Sequence, residues 1–216
     1  MQTTLVKETS LPWWTPGRMR LAGMVGIAGG VVWITMTATI VAALGFDALS
    51  NLEPRTAGPV AVVAVTLSHS VMYALFLVAL LAANARYWSD YGRLGRIAGC
   101  VLAIDLAVLT PALPLITFVF GDDWVPGGII AGITFITMHL FGSIFGILIW
   151  RRTATSPLTA GLFILVVPAI IAVFVFQAVG VGLPAATFET FLNLGFAALG
   201  YDLWKTCRIP FSVAVK

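Results

Sequence analysis

Charge is scarce in this chain, and so are the side chains that usually do chemistry. Of its 216 residues 10 % are Asp, Glu, Lys or Arg, and there are two histidines and two cysteines. A soluble surface ordinarily needs about a quarter of the residues charged, so an aqueous globular domain is excluded. The alternation of apolar and polar residues that marks strands is missing as well. So is any phosphate-binding loop, any serine-nucleophile motif and any closely spaced His/Cys/Asp/Glu set with metal-ligand spacing. These gaps lean against an enzyme and against a metal centre. No polar stretch is long enough to hide a second domain.

What is present is apolar. Hydrophobic residues make up 60 % of the chain and the mean hydropathy is +1.01. Segments in hydrocarbon must satisfy every backbone polar group internally, and runs of about 20 apolar residues do so as helices. Six such runs span roughly 21–44, 59–83, 95–120, 127–150, 158–179 and 185–204, joined by short connections. The expectation is an all-α bundle of six transmembrane helices in a single domain covering 1–216. The first run is too long for a signal-peptide core and stays as a membrane helix. Ahead of it, Pro12, Trp13, Trp14 and Pro16 suit headgroup depth.

Basic residues set the orientation, because translocation disfavours Lys and Arg in short loops. One side collects Lys7, Arg18, Arg20, Arg86, Arg93, Arg96, Arg151, Arg152, Lys205, Arg208 and Lys216, eleven residues against Arg55 alone on the other. Both termini are therefore expected in the cytoplasm. The basic residues follow the loops, a topology signal and not a nucleic-acid footprint. Cys100 and Cys207 fall at cytoplasmic helix ends, where thiols stay reduced, so no disulfide is expected.

Three odd-numbered helices open alike, with Arg20-Leu21-Ala22-Gly23, Arg96-Ile97-Ala98-Gly99 and Leu158-Thr159-Ala160-Gly161, which suggests three hairpin quasi-repeats. Small residues recur at four-residue spacing as Ala22, Gly26 and Gly30 in the first helix. In the fourth they recur as Gly128 and Gly132, then Gly142 and Gly146. Close backbone approach through small residues supplies much of the association energy in lipid. Helices one and four are thus expected to pack closely and to offer a seam for a second copy or a partner protein.

Asp105 lies near the middle of the third run, where an ionised carboxylate is costly; such a residue usually marks a proton or ion site, and a protonated, hydrogen-bonded structural Asp is the alternative. Both histidines are intramembrane too, His69 in the second run and His139 in the fourth. Counting from the basic loops, Asp105 is nine residues from Arg96, His139 twelve from Arg151 and His69 seventeen from Arg86. At about 1.5 Å per residue, Asp105 and His139 share a level and His69 sits about a turn further out. One reading is an ion or solute site at Asp105, His139 and His69, extended by Ser70, Tyr73 and Thr110. Another is a b-type haem between His69 and His139, against which the depth mismatch of about 7 Å counts. A third is that each histidine donates one structural hydrogen bond to a neighbouring helix. Glu189 and Asn193, one turn apart near the outer end of the sixth run, form an outer vestibule or a wetted cap.

Thr110-Pro111 and Pro114 in the third run, and Pro168 with Gln177 in the fifth, are places where kinks free carbonyls. The loop from Arg86 to Arg96 alternates basic and aromatic residues and should touch anionic headgroups, making membrane lipids a partner.

Three strings carry a resemblance. They are Arg20-Leu21-Ala22-Gly23 with Gly29-Gly30-Val31-Val32-Trp33, Gly92-Arg93-Leu94-Gly95-Arg96 with Ala98-Gly99, and Gly195 through Trp204. The chain resembles a loose group of uncharacterised prokaryotic six-helix integral membrane proteins. That resemblance implies the six-helix fold and a plasma-membrane address in a prokaryote, and brings no activity or site residue with it. The expected function is a small transporter-like protein or membrane subunit that handles a proton, an ion or a small polar solute. A structural or assembly subunit and a haem-bearing electron carrier are the alternatives.

Overall fold

The computed structural model describes residues 13–45, 58–121, 124–151, 155–181 and 186–207. They fold as helices, with no strand among them. Of the residues used above, Lys7, Pro12, Arg55, Arg152, Arg208 and Lys216 lie outside the described residues.

Helix α1, Pro16–Leu44, starts behind Thr15, whose hydroxyl accepts from Arg18 N at 3.4 Å, and ends at Gly45 with φ +85°. A positive φ there stops the helix, a conformation glycine adopts without a Cβ penalty. Helix α2 is Pro59–Tyr87 and α3 is Gly92–Leu115, continued by one π turn, Ile116–Phe120. Helix α4 is Val125–Trp150. The fifth apolar run is two helices, α5, Pro157–Ile164, and α6, Val166–Ala178, and the chain closes with α7, Ala186–Thr206. Four unbroken helices and the broken fifth span are each long and apolar enough to cross a membrane. This is a multi-pass helical membrane protein.

The break between α5 and α6 has a specific cause. Pro168 has no N–H to give the carbonyl of Ile164 one turn earlier. Ser143 of α4 takes over: its Oγ donates to Phe163 O at 3.1 Å and Ile164 O at 3.4 Å and accepts from Val167 N at 3.0 Å. The two prolines of α3 do less, since the helix runs through Pro111 and Pro114 and loosens just beyond them.

The helices form a ring in chain order, α1 on α2, α2 on α3, α3 on α4, α4 on α5, and α7 returning to pack on α1 while also touching α2, α5 and α6. The α1–α7 crossing is backbone on backbone. A Cβ on Gly23 would stand 2.6 Å from Gly200 O, and one on Gly30 2.5 Å from Ala197 Cβ. Gly146 likewise lies against Ala160, Phe163 and Ile164 of α5. The expected stripe of α1 therefore packs tightly, but on α7, and α4 packs on α3 and α5. Gly128 and Gly132 are exposed, and a Cβ on either would meet nothing within 4 Å, so that half of the stripe faces outward.

The core is a chain of aromatic rings running across the bundle. Phe76 stacks on Phe196 at 5.2 Å, Phe196 meets Phe163 edge-on at 5.1 Å, Phe163 meets Phe145 at 5.6 Å, and Phe145 meets Tyr91 at 5.2 Å. All five side chains are at most 1 % exposed.

Candidate functional site

The close contacts fix which residues share a level. Gly26 of α1 faces Ala79 of α2 and Gly200 of α7, while Gly29 faces Phe76 and Gly30 faces Ala197. Both α2 and α7 are thus antiparallel to α1 and parallel to each other, with Phe76 beside Phe196. One turn from that stack, toward the Leu44 end of α1, the same spacing sets Trp33, Tyr73 and Asn193 in a layer. The next turn holds Thr37, His69 and Glu189. On the other side of α7, Leu192 fills the space beside Gly142 of α4, which brings His139, one turn outward, level with Glu189.

Contacts support the layering. The His69 ring lies edge-on to Trp33 at 5.9 Å and 6.1 Å from the Tyr73 ring. Trp33 and Asn193 are 3 % and 2 % exposed. Two acceptors in this region, Asn193 Oδ1 and Thr37 Oγ1, are enclosed without a hydrogen-bond partner among the described residues. Each costs about 1–3 kcal/mol if left so in the folded protein.

Both histidines are tethered the same way. His69 Nδ1 donates to Val65 O at 2.9 Å and His139 Nδ1 to Phe135 O at 2.6 Å, each the carbonyl one turn back. Through Nδ1 each histidine therefore bonds to its own helix. That tautomer turns Nε2 away from the tether. The His139 ring also packs on Phe135 at 4.1 Å.

Asp105 stands apart from this group. Its Oδ1 accepts from Thr137 Oγ1 of α4 at 3.0 Å, and its Oδ2 has no partner among the described residues. Thr137 and His139 are two residues apart and so point about 200° apart around α4. The side chain is 6 % exposed, buried between α3 and α4, while adjacent Ile104 is 61 % exposed on another face of α3. Ser70 Oγ donates to Thr66 O and Thr110 Oγ1 to Leu106 O, so both hydroxyls serve their own helices. Gln177, at the end of α6, is exposed.

The arrangement does not suit a bis-histidine haem. Helix α7 packs on α2 through Phe76 and Phe196 and reaches α4 through Leu192. It therefore stands between the two histidine-bearing helices at the levels of Phe76 and Leu192. Among the described residues no group of three His, Cys, Asp or Glu side chains is placed to hold a metal ion.

Three polar residues that sequence reasoning missed do structural work. Asn84 Nδ2 of α2 donates to Gly99 O of α3 at 3.0 Å. Asp202 Oδ2 of α7 accepts from Ser156 N at 2.8 Å and Thr159 Oγ1 at 2.7 Å, holding the start of α5. Ser143 staples the break already described. Their signal in the sequence was a polar residue inside an apolar run, the same signal Asp105 gives.

No protein-family description matches the chain, and no curated protein or solved structure matches it either. The class the fold defines is a multi-pass membrane protein with a polar seam between α1, α2 and α7.

Proposed function

We propose that this chain is a small transporter-like protein that handles a proton, alone or with an ion or small polar solute, in the α1–α2–α7 seam. Glu189 is the exchanging carboxyl, His69 and Tyr73 line the path from α2, His139 meets the same level from α4, and Asn193 and Thr37 offer oxygens to the solute. The observation that carries this reading is the buried oxygen of Asn193, one turn from Glu189, which has no partner among the described residues. Hydrocarbon penalises such groups, and intramembrane acids usually face an interior path when they are kept. Below the polar layers the ring stack from Phe76 to Tyr91 supplies the dry barrier that a carrier needs on one side of its site.

The basic-residue count favours cytoplasmic termini and a site in the outer half of the bilayer, with α7 as the sixth crossing, and the plasma-membrane address rests on the resemblance alone. Asp105, hydrogen-bonded to Thr137 between α3 and α4, is in this reading a packing carboxyl.

Infrared difference spectroscopy of the protein in lipid films, stepped between neutral and acidic buffer, tests the assignment. The expected result is a protonated-carboxyl band that disappears in Glu189→Gln and shifts in Asn193→Ala. A carboxyl band unchanged in Glu189→Gln and lost in Asp105→Asn overturns it.

A further inference from the structure

We infer that the crevice between the basic-side ends of α4 and α5 binds one anionic phospholipid, its acyl chain against the protein wall and its phosphate on Arg151. The inference stands independently of the proton site. The crevice has a volume of about 370 Å³ and is lined by Ile147, Trp150, Gly161, Ile164 and Leu165, with Arg151 at its mouth. Its wall is apolar and open to the membrane: Trp150, Ile147 and Leu165 are 55 %, 44 % and 46 % exposed.

The fold explains the shape. Gly161 presents no side chain, and a Cβ there would stand 3.9 Å from Trp150, so the floor is a bare helix surface beside an indole wall. The break at Leu165, forced by Pro168, ends α5 and closes the crevice at its inner end. From Gly161 to Leu165 is about 6 Å along the helix, so the groove runs from the interface into the acyl region. Arg151 directly follows the last residue of α4, at headgroup height. An apolar groove alone would take any lipid tail. A guanidinium at its mouth selects a net negative headgroup, since Arg pairs bidentately with phosphate and a basic residue near the surface favours anionic lipid. Tryptophan at the rim is the usual interfacial neighbour of such a site.

Quenching of Trp150 fluorescence by brominated acyl chains reads occupancy directly. Full-length protein is reconstituted in phosphatidylcholine vesicles carrying an equal minor fraction of either brominated phosphatidylglycerol or brominated phosphatidylcholine. The Trp150 signal is the difference between the parent protein and Trp150→Phe. The expected result is preferential quenching by the phosphatidylglycerol, corresponding to an occupancy ratio on the order of fivefold. Arg151→Gln abolishes that preference but leaves some quenching by both lipids. Gly161→Leu, which fills a membrane-facing groove without touching the core, lowers quenching by both. Equal quenching by the two lipids in the parent protein, or a preference that survives Arg151→Gln, overturns the inference.

Discussion

Single side chains carry unusual weight where the solvent is lipid, and Ser143 is the clearest case. Its hydroxyl replaces the hydrogen bond that Pro168 deletes, bonding to Phe163 O, Ile164 O and Val167 N at once. Ser143→Ala removes these three bonds and is expected to destabilise the bundle by about 1–2 kcal/mol, read from denaturant unfolding in bicelles. Tyr91, in the turn between α2 and α3, tests burial of a different kind. Its ring is 1 % exposed and its hydroxyl donates to Ala83 O at 3.5 Å. Burial pushes the phenol well above its ordinary value, with Tyr87 and Asp90 adding to the effect. A group whose folded pKa is raised lends stability that is intact below the unfolded pKa and lost as pH climbs toward the folded one. Stability should therefore fall as pH rises past about 10, and Tyr91→Phe should flatten that fall in a pH series of thermal melts.

Elements show what spacing alone can and cannot say. The stripes of α1 and of the outer half of α4 look equivalent in sequence, yet Gly23 and Gly200 meet backbone to backbone while Gly128 and Gly132 face open space. Gly200→Leu should therefore undo the docking of α7 on α1 and expose the chain to proteolysis. Gly128→Leu should leave monomer stability within about 0.5 kcal/mol of the parent. Period-four glycines announce a close approach only when a partner is there, and the partner is a tertiary fact. The prolines repeat the lesson. Pro168 breaks its helix where Ser143 can catch the freed groups, whereas α3 runs through Pro111 and Pro114 to its last regular turn.

For the whole molecule, hydrocarbon made the helices readable: a run that must bury all its backbone bonds has one solution, and the apolar runs fold accordingly. The site was less legible. Counting residues from each loop puts His69 a turn beyond His139 and couples His139 to Asp105, because it treats every helix as upright and equally deep. The packed registers bring both histidines to the level of Glu189 and leave Asp105 with Thr137 on another face of α4. Crossing angles and faces decide this, and neither is written in one helix's sequence.

The central claim is that the working carboxyl is Glu189 in the α1–α2–α7 seam and not Asp105 beside Thr137. Proton flux into vesicles reconstituted with the protein, driven by an imposed pH gradient and followed with a trapped pH dye, tests it most directly. The account predicts that Glu189→Gln falls to the leak of protein-free vesicles while Asp105→Asn, folded and helical, keeps the parent rate. Flux that persists in Glu189→Gln and vanishes in Asp105→Asn would contradict it.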